Sequence, residues 1–280
     1  MSTVDQAVAE PPADGPGGAG ALLELRGVTK TFGPVRALSD VDFQIAPGKV
    51  TALVGDNGAG KSSLIKTVSG LWSPDGGEIL WEGRPVHLHG PKDAENLGIT
   101  TIYQDLALCD NLDIVQNMFL GHEPTSHGLL DEATMERGAR ETLKELNVTT
   151  VRSIRQQVAS LSGGQRQSVA VAKAVMSRAQ LVIMDEPTAA LGVVQTTMVL
   201  DLIKTLSGRG TAVLLISHNL NDVFEVADRI AVLYLGRLVV EGEAAGFDRQ
   251  NLVEYMTTGD ATRAYQASSG ASAPQGASER

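Results

Sequence analysis

The sequence predicts an α/β fold: a mainly parallel sheet core covered by helices, carrying an antiparallel β subdomain and a helical subdomain. Three observations predict it. A short apolar run, Lys49–Val54, enters a glycine-rich loop and leaves it as the helical pattern Ser63–Val68. Strand and helix patterns alternate in the C-terminal half, which is the signature of strands laid side by side in parallel. Between about residue 105 and residue 176 the pattern is helical, so a helical subdomain interrupts that alternation.

The elements follow in chain order. Residues 22–28 and 41–45 read as strands, and 49–54 reads as a buried strand. The turn Ser73-Pro74-Asp75-Gly76-Gly77 introduces a hairpin from Glu78 to Leu88. A strand ends at Tyr103. Asp131 to Leu146 is the clearest helix of the helical stretch. After it come a strand at 180–185, a helix at 193–206, a strand at 211–217 and a helix at 219–227. Residues 1–20, rich in Pro, Gly and Ala, and residues 260–280, rich in Ser, Ala and Gly, are expected to be disordered tails, because neither buries enough apolar surface to offset chain entropy. The folded part is then 22–258.

Composition narrows the function. A chain of 280 residues holds one large α/β domain or two small ones, and 42% hydrophobic residues suffice for a core. The net charge of −10 and pI near 5.0 argue against a protein held to nucleic acid by a basic face. The single Cys109 cannot form an internal disulfide and suits a reducing compartment. The longest apolar runs, such as Ala212–Ile216, are strand length, so any membrane role is expected to be peripheral.

Gly55-Asp56-Asn57-Gly58-Ala59-Gly60-Lys61-Ser62 fits the phosphate-binding loop pattern G-x-x-x-x-G-K-[ST]. Glycines let the backbone turn tightly enough for its N–H groups to surround phosphate oxygens. Lys61 supplies charge for the β- and γ-phosphates, Ser62 a hydroxyl for Mg²⁺, and Ser63 opens a helix whose N-terminus faces the anion. A second motif, Ser162-Gly163-Gly164-Gln165, precedes the apolar run Ser168–Met176. Ser162 can cap that helix, but a cap requires neither the second glycine nor Gln165. A third is the apolar strand Leu181–Met184 ending in Asp185-Glu186, where Asp185 suits the Mg²⁺ shell and Glu186 suits orienting or deprotonating an attacking water. Gln104 and His218 each follow a strand of the same sheet. Gln104 is placed to touch Mg²⁺ and the water, and His218 to donate a hydrogen bond to the γ-phosphate. Phe32 is either an adenine-stacking ring or a core aromatic near the first hairpin.

In this order the motifs resemble the ATP-binding cassette (ABC) family over nearly all of 22–258, which implies a P-loop NTPase of ABC type. The resemblance implies that Lys61, Ser62, Gln104, Asp185, Glu186 and His218 hold the phosphate-loop, Q-loop, Walker B, catalytic glutamate and H-loop positions, and that Ser162–Gln165 is the signature motif. It further implies a head-to-tail dimer in which the signature of one copy acts in trans on ATP held by the other. Ile102-Tyr103-Gln104-Asp105-Leu106, Asn117-Met118-Phe119-Leu120-Gly121 and Thr188-Ala189-Ala190-Leu191-Gly192-Val193 resemble the importers of ribose-, xylose- and fructose-type monosaccharides. Many members of that branch carry two cassettes per chain, and this chain carries one.

The resemblance therefore implies an ATPase subunit, with ATP and Mg²⁺, that works as a homodimer beneath membrane permease subunits and indirectly with a sugar-binding protein. Its location would be cytoplasmic, on the inner face of the cell membrane. The segment Asp105–Gly121, with Leu106, Leu108, Leu112, Ile114, Met118 and Phe119, is expected to receive the permease. The alternatives are a cassette of an exporter, or a non-transport cassette acting on ribosome or DNA. One residue departs from the family pattern: Gly192 stands where many cassettes carry an Asp that reaches the opposite copy.

Overall fold

The structure is a computed structural model that describes residues 20–176, 179–189 and 191–260; the expectations for residues 1–19 and 261–280 lie outside the described residues. Its elements are β1 (Leu23–Phe32), β2 (Val35–Ile45), β3 (Val50–Val54), α1 (Lys61–Val68), β4 (Gly76–Trp81), β5 (Arg84–Val86), α2 (Pro91–Asn96), β6 (Ile99–Ile102), α3 (Ile114–Phe119), β7 (Thr125–Ser126), β8 (Leu129–Leu130) and α4 (Glu132–Glu145). They continue with α5 (Gly163–Met176), β9 (Leu181–Asp185), α6 (Val193–Gly208), β10 (Ala212–Ile216), α7 (Leu220–Val226), β11 (Arg229–Tyr234), β12 (Arg237–Glu243) and α8 (Arg249–Thr258).

The central sheet runs β12-β11-β3-β10-β9-β6. Every pairing from β11 to β6 is parallel, and only β12 is antiparallel to its neighbour. Strands β3, β9 and β10 are apolar on both faces, as a sheet covered on both sides requires. Along β9 the side chains alternate: Val182 and Met184 join a core with α3 to α6, while Leu181 and Ile183 join a second core with β1, β2 and α1. A third cluster packs Ala52 and Val54 of β3 against β11, α7 and α8. Parallel register puts Asp185 beside Ile216 and Ile102 beside Met184, so the loops after β3, β6, β9 and β10 leave from one edge. In open parallel sheets that carboxyl edge is where ligands bind.

A second, antiparallel sheet of order β2-β1-β4-β5 covers one face. Its first two strands run farther than the sequence suggests, to Phe32 and from Val35, because they form one hairpin across Gly33-Pro34. Among the described residues, the regular elements between β6 and β9 are helices, apart from the small β7–β8 hairpin, which sequence reading missed. The helix expected from Asp131 to Leu146 is α4, capped by Asp131, whose carboxylate accepts from the Thr134 N–H. Arg155 ties this region together, reaching Asp113 at the start of α3 and both Glu132 and Glu136 on α4. The elements after residue 227 were also missed, although Leu235-Gly236 separates two runs of strand character.

One buried polar atom sits in the centre of this sheet. Thr51 on β3 is fully buried, and its Oγ1 has no hydrogen-bond partner. Removing an unsatisfied hydroxyl while keeping the shape relieves a desolvation cost of about 1 kcal/mol. Thr51→Val is therefore expected to raise the Tm by roughly 2–4 °C in thermal unfolding followed by circular dichroism. A lowered Tm would show that the hydroxyl is satisfied.

Candidate functional site

At the carboxyl edge the loop after β3 wraps a cavity of about 490 Å³, lined by Asn57 to Ser63, Gln104, Asp185 and Glu186, with Val35 to Ala37 of β2 and Leu235 and Gly236 opposite. The loop has almost no room behind it. A Cβ on Gly55, whose φ is +155°, would lie 2.2 Å from the Leu233 carbonyl oxygen. A Cβ on Gly60, with φ +105°, would lie 2.6 Å from the Ala37 carbonyl oxygen. Glycine is the residue that permits both the backbone angle and the approach. The Gly236 N–H donates to Ala59 (2.8 Å) and the Ser39 N–H to Gly236 (2.8 Å), so the β11–β12 turn braces the loop from outside. Helix α1 starts at Gly60 with no side-chain cap, leaving its first N–H groups directed at the cavity.

Charge is concentrated here. Lys61 Nζ donates to the carbonyls of Gly55 (2.7 Å) and Asp56 (3.0 Å), which holds the ammonium over the hollow of the loop. Burial pushes its pKa down against the pull of Glu186, Asp56 and Asp185. Half-buried Asp185 is pushed up by burial and then by Glu186, and Lys61 and Lys66 offset this only in part. Glu186 has a left-handed backbone, φ +51°, held by its N–H donating to Ile216 at 2.9 Å. A non-glycine residue in that region costs of order 1 kcal/mol and persists only where its surroundings fix it. Its carboxylate lies 2.7 Å from His218 Nδ1. The carboxylate is 17% exposed and the imidazole 70%, so the histidine is the solvent-facing end of the pair.

The structure thus brings together Gly55 to Ser63, Gln104, Asp185, Glu186 and His218. Phe32 does not line the cavity. It is 40% exposed and packs edge-on to Trp72, centroids 4.5 Å apart, with Lys30 Nζ 5.6 Å from its ring and Lys66 Nζ 4.6 Å from the Trp72 ring. Nor do Ser162, Gly163, Gly164 and Gln165 line it; they begin α5 elsewhere on the same chain. There the cap differs from expectation. Gln165 Oε1 accepts from the Ser162 N–H (2.9 Å) and Ser162 Oγ accepts from the Gln165 N–H (3.4 Å), a reciprocal capping box. Gln165 Nε2 also donates to Thr150 (2.7 Å). The glutamine is therefore part of the cap, contrary to the view that a cap could dispense with it.

Sequence reading missed several supports. Thr188 Oγ1 donates to buried Asp222 (2.6 Å), whose other oxygen accepts from Asn219 Nδ2 (2.9 Å). This links the loop after Glu186 to the turn after His218. The signal in the sequence is slight: Asp222 is an acidic residue on α7 whose burial becomes apparent only from the fold.

Residues 38–189 match the ABC transporter family model. The chain is 48% identical over 243 residues to a fructose import ATP-binding protein of Rhizobium meliloti, covering 84% of this chain and 94% of that one. It is 46% identical over 237 residues to a xylose/arabinose import ATP-binding protein of Sulfolobus acidocaldarius, covering 85% and 94%. A ribose import ATP-binding protein of Rubrobacter xylanophilus is 46% identical over 84% of this chain, which spans only 46% of that relative. Among solved structures, an ATP-binding cassette of an ABC transporter in its ADP conformation superposes with a TM-score of 0.73 at 23% identity, over 90% of this chain and 99% of that one. A dimeric cassette in a post-hydrolysis state bound to ADP and Pi gives 0.67 at 25% identity, over 80% and 100%.

The site's electrostatics carry a stability cost with a definite pH dependence. A carboxyl whose folded pKa is raised stabilises the fold while protonated and loses that contribution as pH rises through the folded value. Asp185→Asn is therefore expected to raise the Tm of the nucleotide-free protein at pH 8, with the gain shrinking toward pH 4. Thermal unfolding across that range checks it, and a lowered Tm at pH 8 would contradict it.

Proposed function

This chain belongs to the ABC transporter ATP-binding family, and on that premise we propose that it hydrolyses ATP to drive uptake of a monosaccharide through membrane permease subunits. The observation that carries the proposal is the convergence of the glycine loop, Gln104, Asp185 and the Glu186–His218 pair on one sheet edge, in a chain 46–48% identical to fructose and xylose/arabinose import ATP-binding proteins. Those relatives are importers by name, which favours uptake over export.

The loop N–H groups of Gly58 to Ser62 and the start of α1 take the ATP phosphates, with Lys61 supplying positive charge. Phe32, outside the phosphate cavity and packed edge-on to Trp72, takes the adenine where the nucleotide extends beyond the loop. The donors beside the loop fit Mg²⁺: the Ser62 hydroxyl, the Gln104 side-chain carbonyl and the Asp185 carboxylate are all oxygen, and burial and Glu186 disfavour a bare Asp185 carboxylate, a cost that a cation would relieve. Bound there, Mg²⁺ would neutralise charge on the phosphoryl oxygens. Glu186 orients the attacking water and accepts its proton, while the His218 N–H that meets this carboxylate turns to the γ-phosphate when ATP is bound. The products are ADP and phosphate.

One chain offers only part of this site, since Ser162–Gln165 do not line its own cavity. Two copies related head to tail supply the rest, an arrangement that the dimeric cassette relative supports. The chain acts from the inner membrane face through its permease; among the described residues no helix is long and apolar enough to cross a membrane. A cavity of about 470 Å³ between α3, α5 and β6 is the docking place; Leu106, Ala107, Met118 and Phe119 line it, and a sugar-binding protein acts indirectly from the far side. Of the apolar set expected to dock, Ile114 and Met118 are buried and serve the core, whereas Leu106, Leu108, Leu112 and Phe119 remain partly exposed.

Two predictions follow from the site and its groove. Glu186→Gln is expected to bind ATP normally while losing turnover by about 10²-fold or more. Purified with ATP from detergent-solubilised native membranes, the tagged variant should bring down a polytopic permease. Recovery of ribosomes or nucleic acid alone would overturn the transport reading. Leu106→Glu is expected to abolish permease recruitment without changing ATP affinity, and intact recruitment would move the docking place elsewhere.

A further inference from the structure

The β9–β10 ladder stops at the catalytic pair. Its outermost backbone bond runs from the Glu186 N–H to Ile216. Past it, the chain after β9 closes a turn in which the Ala189 N–H donates to Glu186 (3.1 Å), and the chain after β10 passes through Ser217 and His218 into α7. Among the described residues, the side-chain bonds that join these two loops are the Glu186–His218 contact itself and those of Asp222.

Asp222 lies in the first turn of α7 and is only 4% exposed. Each of its oxygens is occupied by a donor from a different loop: Thr188 Oγ1 on one (2.6 Å) and Asn219 Nδ2 on the other (2.9 Å). Thr188 is buried and follows Glu186 by two residues, and Asn219 follows His218 directly. Asn219 is itself held at three points. Its Oδ1 accepts from the Asn221 N–H (3.1 Å), and its own N–H donates to Oγ of fully buried Ser217 (3.0 Å). Burying a carboxylate between two neutral donors stabilises a fold less than apolar groups of the same shape would. What the carboxylate adds is direction, since both donors must aim at it.

We propose that Asp222 is a positioning residue for ATP hydrolysis: by tying Thr188 to Asn219 it fixes the main chain on which Glu186 and His218 are carried. Side-chain rotation is then all that separates the resting Glu186–His218 contact from the arrangement that meets the nucleotide. Asp222 itself touches neither ATP nor water. The proposal rests on the reading that Glu186 directs the attacking water.

The test is steady-state hydrolysis by the full-length chain with Mg²⁺ and ATP, run below the Tm of every variant, with ATP affinity measured separately by equilibrium binding. Thr188→Val, which keeps the shape and removes the donor, is expected to lower kcat about tenfold with ATP affinity unchanged. Thr188→Ser, which keeps the hydroxyl, should retain the wild-type kcat. The apolar pair Thr188→Val/Asp222→Leu should recover the Tm lost in Thr188→Val while kcat stays low, because packing is restored and direction is not. In the Glu186→Gln chain, Thr188→Val should cause no comparable further loss, because the residue it positions is already disabled. Wild-type kcat in the apolar pair would overturn the proposal by assigning the network to packing alone. An equal further loss in the Glu186→Gln chain would also overturn it, since Asp222 would then act by another route. A wild-type chain that binds ATP but hydrolyses none would overturn the ATPase reading itself and the proposal with it.

Discussion

Everything at this site depends on one steric constraint: the backbone of Gly55–Ser63 closes around a hollow while pressed from behind by two other strands. The Leu233 and Ala37 carbonyls stand where side chains at Gly55 and Gly60 would go, and the β11–β12 turn is hydrogen-bonded to the loop at Ala59. The loop is thus pre-formed by the fold. Its N–H groups need not be reorganised when an anion arrives, which is the condition under which fixed dipoles bind most strongly. The same packing explains why β11 lies beside β3 in the sheet: it carries the carbonyl and the turn that hold the loop in shape.

The second constraint is electrostatic. Lys61, Asp185 and Glu186 share a partly buried pocket, where burial pushes the Lys61 pKa down and burial, then Glu186, pushes that of Asp185 up. Glu186 sits on a strained backbone, anchored by Ile216 and paired with His218. Buried like charge and strain gather at functional sites, where a bound ligand can complete the charge balance, at a cost in stability to the resting protein. Behind the chemistry, Thr188–Asp222–Asn219 connects the loops after β9 and β10, so Glu186 and His218 are carried by one hydrogen-bonded unit.

Much of this was legible in the sequence, for physical reasons. Strands buried on both faces read as short apolar runs, and the parallel alternation places their C-terminal ends together, so Gly55, Gln104, Asp185 and His218 could be assigned to one edge from order alone. What was not legible depends on contacts between segments far apart in the chain. The support of Gly55 by Leu233, the burial of Asp222 beneath Thr188, and the packing of Phe32 on Trp72 leave no local pattern. Gln165 was misjudged because its role as N3 partner of Ser162 becomes apparent only once the helix start is fixed. Gly192 was visible as a departure from the family, whereas the carboxamide that lies 2.7 Å from where its Cβ would be, that of Gln195, was not.

The central claim is that one copy's glycine loop and another copy's signature turn close on the same ATP. Intermolecular disulfide formation tests it directly, using Asn57→Cys in one copy and Ser162→Cys in another, with Cys109 replaced in both. Such a bond forms only when the two Cα atoms come within about 7 Å. An ATP-dependent disulfide between position 57 of one copy and position 162 of the other is the predicted result. No disulfide with ATP bound, or disulfides only between identical positions, would contradict the head-to-tail site.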